Sequence, residues 1–192
     1  MAELNYSIDL DLKELKAMVE NLVPYIYEDN LYGNINTDSA RLTPGSILLR
    51  LRRLGLLRSQ MNQTQAAQYD KLNAQNEAVR KEWGVAYSKK IVKEAESRLR
   101  DLQVYIKECK EDPKLCANAY NPEALRRTIV AELIAALPAD VDQSTLKNAM
   151  GSVDSGLRRN IRETPFIWDK VLQSAYPQGT FWWLYGRPPQ PD

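Results

Sequence analysis

The chain has 192 residues, 44% apolar and 27% charged, with 26 Lys and Arg against 25 Asp and Glu, for a net charge of +1. That balance fits an ordinary folded domain and supplies no general attraction to nucleic acid, an anionic membrane or an acidic substrate. Histidine is absent, which removes Ser-His-Asp and Cys-His catalysis, His-ligated zinc and the Glu-x-x-His di-iron site in their usual forms.

The opening stretch, Met1-Ala2-Glu3-Leu4-Asn5-Tyr6, is polar and acidic and lacks the basic and apolar regions of a signal peptide. No apolar run reaches the roughly 20 residues needed to span a bilayer. Cys109 and Cys116, with six residues between them, form neither a disulfide framework nor a metal-site spacing. They read as two ordinary buried cysteines, although their place across a helix end would allow a redox-sensitive bond. These features predict a cytoplasmic protein, in which the Asn5-Tyr6-Ser7 and Asn62-Gln63-Thr64 sequons are accidental.

The first helix is expected over about 11–28, capped by Asp9 or Asp11, with Leu12, Leu15, Val19, Leu22, Val23 and Ile26 at helical spacing. Pro24 predicts a kink or an early end near Leu22–Val23. Gly33-Asn34, Asn36 and Thr37-Asp38-Ser39 then read as loop. Thr43-Pro44 opens a second helix over 44–59, with threonine as cap and proline where no N–H is needed. The same pairing recurs at Asp112-Pro113, Asn121-Pro122 and Thr164-Pro165. In the second helix Ile47, Leu48, Leu51 and Leu54 share one face and Leu49 and Leu56 another, so it should lie between neighbours at the centre of the core.

From 64 to 111 there is no proline and only Gly84 as a glycine, which predicts one helix of about 45 residues and about 70 Å at 1.5 Å per residue. Its buried stripe runs Leu72, Val79, Trp83, Tyr87, Ile91, Ala95, Leu99, Leu102, Ile106, Cys109, with Glu94, Glu96, Glu108 and Glu111 placed on the exposed side; a break at Gly84 is the alternative. Leu115 and Cys116 fall in a short turn. Further helices follow over 122–137 (Leu125, Ile129, Leu133, Leu137 inward), 143–162 (Leu146, Met150, Val153, Leu157, Ile161) and 165–175. The expectation is therefore an all-α single domain over 1–192, an elongated bundle organised around the long helix, with the aromatic C-terminal tail packed on it.

Two groups of residues stand out as candidate sites. Phe181, Trp182, Trp183, Tyr185 and Arg187 form an aromatic tail that either folds back as a clasp over the bundle or anchors a protein partner or a second copy. Arg50, Arg52, Arg53 and Arg58, with Arg41 nearby, either pair with carboxylates of neighbouring helices or contact phosphate. Asp38, Arg41 and Thr43, ahead of a helix N-terminus, suit an anion or a local cap. No metal ligands, cofactor motif or catalytic constellation is evident. The reading is a non-enzymatic helical interaction module, an adaptor, regulatory or structural subunit, whose contact surfaces are the tail and the free face of the long helix. A nucleic-acid module using the Arg50–Arg58 helix is one alternative. A small-molecule binder or enzyme with an inter-helix pocket near Tyr25, Tyr27 and Tyr32 is the other.

Overall fold

A computed structural model describes residues 6–35 and 40–190. Asn5, residues 36–39 with Asp38 among them, and Pro191 lie outside the described residues. Among the described residues the fold is all-α apart from one two-residue strand pair and an isolated bridge between Gly33 and Leu42. Among the described residues no helix is long and apolar enough to cross a membrane.

Helix α1 (Ile8–Glu20) starts at Ser7, whose hydroxyl accepts the Leu10 N–H at 3.2 Å, and buries Leu12, Leu15, Met18 and Val19. The expected run to 28 divides at Asn21, and α2 (Leu22–Tyr27) follows. Pro24 supplies the cause: it has no N–H for the Glu20 carbonyl, so α1 ends there, and the proline sits in the first turn of α2, where no N–H is required. Helix α3 (Pro44–Leu56) opens as expected, the Thr43 hydroxyl accepting the Ser46 N–H at 3.0 Å. It ends three residues earlier than 59, in a 3-10 turn at Arg58–Gln60. Helix α3 is the hub: Ile47, Leu49, Leu51 and Leu54 are buried, and α1 and elements later in the chain pack around it, while Leu56 stays half exposed.

The single long helix divides in two at Trp83: α4 (Gln63–Glu82, 20 residues), opened by an Asn62–Gln65 capping box, and α5 (Gly84–Glu111, 28 residues). Trp83 leaves the helical region at φ −112°, ψ 30°, and glycine at the next position weakens helix continuity. The two parts have different main neighbours: α4 lies against α1, and α5 lies against α6 (Pro113–Ala136) and α7 (Ser144–Asn160). The Trp83 ring meets Tyr27 edge-on at 4.9 Å. The α5 part of the stripe holds, with Tyr87, Ile91, Ala95, Leu99, Leu102 and Cys109 buried. Glu94, expected outside, is fully buried, since it shares the face of Ile91 and Arg98 at helical spacings of three and four.

Helix α6 begins at Pro113 and runs through Pro122, so neither the turn at Leu115–Cys116 nor the helix start at Asn121-Pro122 is present. Asp112 caps it, its carboxylate accepting the Lys114 and Leu115 N–H groups at 2.9 Å. An interior proline costs the Asn118 carbonyl its helical partner. Anchors in the turns before it offset that loss: Cys116 is bonded to Cys109 in a disulfide, and the Tyr120 hydroxyl donates to the Trp183 carbonyl at 2.6 Å. The two cysteines are therefore paired, not separate thiols. Cys109 lies on the inner face of the last turn of α5, and the chain reverses at once into α6, which brings the two Cα atoms to 4.6 Å.

After α7 the expected helix over 165–175 does not form. Strand β1 (Arg162–Glu163) pairs antiparallel with β2 (Gly186–Arg187), and the chain stays irregular until a 3-10 turn at Lys170–Ala175 capped by Asp169. The returning tail pairs with this segment: the Thr164 N–H donates to the Tyr185 carbonyl (3.0 Å), and the Leu184 carbonyl accepts the Ile167 N–H (2.9 Å), the donor that a Thr164 cap would use.

Candidate interaction surface

The arginines of α3 are engaged inside the bundle. Arg50 donates to the Glu14 carboxylate and the Ser46 carbonyl and lies 3.5 Å from Asp11. Arg52 donates to the Ala175 carbonyl at 2.8 Å, lies 3.4 Å from Glu132 and sits over the Phe181 ring at 4.6 Å. Arg53 donates to the Tyr176 hydroxyl at 3.2 Å and covers Trp168 at 5.2 Å. On the surface, Arg58 makes a two-pronged pair with Asp70 (3.0 and 2.6 Å), which holds that carboxyl below its ordinary range, and Arg41 donates to Asn34. Burial pushes the Asp11 and Glu132 carboxyls up, opposed by Arg53 and Arg50 in the first case and by Arg52 in the second. Burial also lifts the Tyr176 phenol to about 12.

The N-terminus of α3, where Arg41 and Thr43 suggested an anion site, is occupied by the chain's own Glu94. One carboxylate oxygen accepts from the Thr43 hydroxyl (2.7 Å) and from Arg98 Nε (2.8 Å); the other accepts the Gly45 N–H at 2.8 Å. This is a carboxylate seated on a helix N-terminus, favoured by the helix dipole and by the free N–H groups there. It ties α3 to α5.

The aromatic tail is buried: Phe181, Trp183, Leu184 and Tyr185 are 9% exposed or less, and only Trp182 is half-buried. Trp183 donates from Nε1 to the Thr128 hydroxyl at 3.0 Å and lies beneath the Arg127 guanidinium, whose Nε and Nη2 also bind Asp154 (2.6 and 2.9 Å). Arg158 of α7 covers Trp182 at 3.8 Å. These contacts run to α3, α6 and α7. Arg187 spans the strand pair and donates to the Ile167 carbonyl at 3.4 Å.

A different surface is left open where α4 gives way to α5. Gly84 meets no heavy atom where a Cβ would stand, and the first turn of α5 has no side-chain cap. Beside it the chain leaves α6 and turns tightly, the Val141 N–H donating to the Pro138 carbonyl at 3.2 Å. Between them lies a groove of about 600 Å3. Val85, Ser88 and Val92 line it from α5, Pro138 and Val141 from the α6–α7 connection, and Lys89, Lys93 and Asp140 add charge. Val85 is 75% exposed, the most exposed of the large apolar side chains described. Among the described residues no carboxylate pairs with Lys89 or Lys93. Lys90 between them turns inward and donates to the Glu28 and Asn30 carbonyls at 2.6 Å.

Sequence reasoning named the free face of the long helix as a contact surface but not these residues. The signal was available: Val85 and Val92 are seven apart and off the buried stripe, so they mark a second apolar line on α5. No group of three or more His, Cys, Asp or Glu side chains among the described residues could hold a metal ion. No protein-family model matches the chain, and neither a curated protein nor a solved structure is similar to it.

Proposed function

We propose that the chain is a non-enzymatic helical interaction protein, an adaptor, regulatory or structural subunit, which presents the groove at the start of α5 to a protein partner. The observation that supports this reading is an open apolar groove, with Val85 75% exposed, flanked by Lys89 and Lys93. Isolated apolar residues on a surface need no explanation, but a concave group of them does. Burial of the tail leaves it the role of clasp and moves the contact surface to α5. The α3 arginines are poor phosphate ligands, since a nucleic acid would first have to displace Glu14 from Arg50 and Glu132 from Arg52. Of the tyrosines near α3, Tyr25 is buried and its hydroxyl donates to the Leu31 carbonyl at 2.7 Å, which leaves little for chemistry.

The cytoplasmic location expected from the sequence is not carried into this proposal. The Cys109–Cys116 bond argues for an oxidising compartment instead, because disulfides persist mainly there. The test of function is co-purification from the native source with the full chain and with Val85→Asp plus Val92→Asp. Loss of a stoichiometric companion from the variant, with its melting temperature unchanged, supports the reading. A companion retained at full yield contradicts it.

A further inference from the structure

We propose that the occupant of the α5 groove is an acidic amphipathic helix of a partner protein, about two turns long, with its carboxylates toward Lys89 and Lys93. This inference rests on the interaction reading given above and assigns the chemistry of the partner.

Small-molecule sites enclose most of the ligand surface, whereas this groove is open enough to leave Val85 75% exposed. It therefore fits a partner that brings its own cover. From Val85 to Lys93 the α5 wall extends about 12 Å at 1.5 Å per residue, the length of about two helical turns. The α5 wall beyond its first turn is helix interior, whose N–H and C=O groups are already paired. An extended peptide laid there would leave its own backbone groups without partners, while a helix satisfies its own. The described strands are only two residues long and pair with each other, so they offer no edge at this groove.

Charge decides the composition. Lys89 and Lys93 stand one turn apart, exposed and unpaired, on the same wall as Val85 and Val92. The uncapped first turn of α5 adds the positive end of a 28-residue helix dipole. Asp140 is the one carboxylate lining the groove and belongs to the opposite wall. A complementary helix has two or three apolar residues at spacings of three and four, glutamates or aspartates on the flank toward α5, and a neutral or basic flank toward Asp140.

The experiment is an amide NMR titration of the full chain. The probe is a side-chain-bridged helical peptide of about 14 residues, leucines on one face and glutamates on one flank. Comparison probes are the same peptide with lysines in place of the glutamates, and sodium dodecanoate. The expected result is a shift map centred on Val85, Ser88, Val92 and Val141 for the acidic peptide. Lys89→Glu plus Lys93→Glu should weaken it about tenfold and turn the preference toward the basic peptide. Both lysines are exposed, so the fold survives, which the rest of the spectrum verifies. Equal response to both peptides, a map elsewhere, or no shift overturns the proposal. So does filling of the groove by dodecanoate alone, which would assign it to a small amphiphile. If the double aspartate variant loses its companion while the peptide shifts nothing, the interaction reading stands and the acidic helix falls. If neither responds, both fall.

Discussion

Replacing Glu94 by alanine should be the most damaging single change at the junction of α3 and α5. The side chain is fully buried and accepts from the Thr43 hydroxyl at 2.7 Å and from the Gly45 N–H and Arg98 Nε at 2.8 Å each, with Arg98 Nη2 2.8 Å away as its ion-pair partner. Alanine leaves the Arg98 guanidinium, whose side chain is 14% exposed, without its counter-charge. Breaking a buried pair from one side costs about 3 to 5 kcal/mol. Arg98 keeps a little solvent and approaches the Tyr32 ring at 5.9 Å, so we place the loss near about 3 to 4 kcal/mol. Urea unfolding followed by circular dichroism measures it: with a slope of about 2 kcal/mol per molar, the midpoint falls by about 1.5 to 2 M. Glu94→Gln keeps the volume and one acceptor oxygen but turns an NH2 toward the Gly45 N–H, and should cost about 2 kcal/mol. Adding Arg98→Met to the alanine variant should recover part of the loss by removing the stranded cation. A midpoint unmoved by Glu94→Ala, or a glutamine variant as weak as the alanine one, would show that this carboxylate does not hold α3 to α5.

Three further outcomes follow from the packing. Trp183→Ala should cost about 3 to 5 kcal/mol and Trp182→Ala about 1, in thermal or urea unfolding, since only the first ring is enclosed; the reverse order would place the tail on the surface. Thiol titration in denaturant should count no free cysteine before reduction and two after, and replacing both by serine should cost about 2 to 3 kcal/mol from the loss of a short closed loop. Asp169 accepts the Tyr6 N–H at 2.8 Å and the Val171 N–H at 2.9 Å, which lowers its pKa. Its stabilisation is present above the unfolded value and lost as pH falls through the folded one. Asp169→Ala should thus cost about 1 kcal/mol at neutral pH, with the gap to the natural chain closing below about pH 4.

What the sequence revealed and what it hid divide along the range of the interaction. The caps at Thr43 and Asp112 and the α5 stripe are local, and they were legible from side-chain chemistry and spacing. The failures are places where distant residues overrode local preference. Pro122 reads as a helix start until Cys109 and Tyr120 anchor the turns before it. Thr164-Pro165 reads as a cap until Leu184 returns to take the Ile167 N–H that the cap would use. Glu94 reads as a solvated charge until the N-terminus of α3 arrives as its partner. The division at Trp83 had a local sign in Gly84, and α4 and α5 have different main neighbours. For the groove, one wall was visible as Val85 and Val92; the other, Pro138 and Val141, is brought in by the fold.

The interaction reading turns on one measurement: photo-cross-linking from a benzophenone side chain placed at position 85 of the full chain in its native source, with position 104 on the same helix as control. Val104 is also exposed, at 56%, but does not line the groove. A single discrete adduct from position 85 and none from position 104 is the outcome expected of a docking groove. Adducts of equal yield from both positions, or none from position 85, would contradict it.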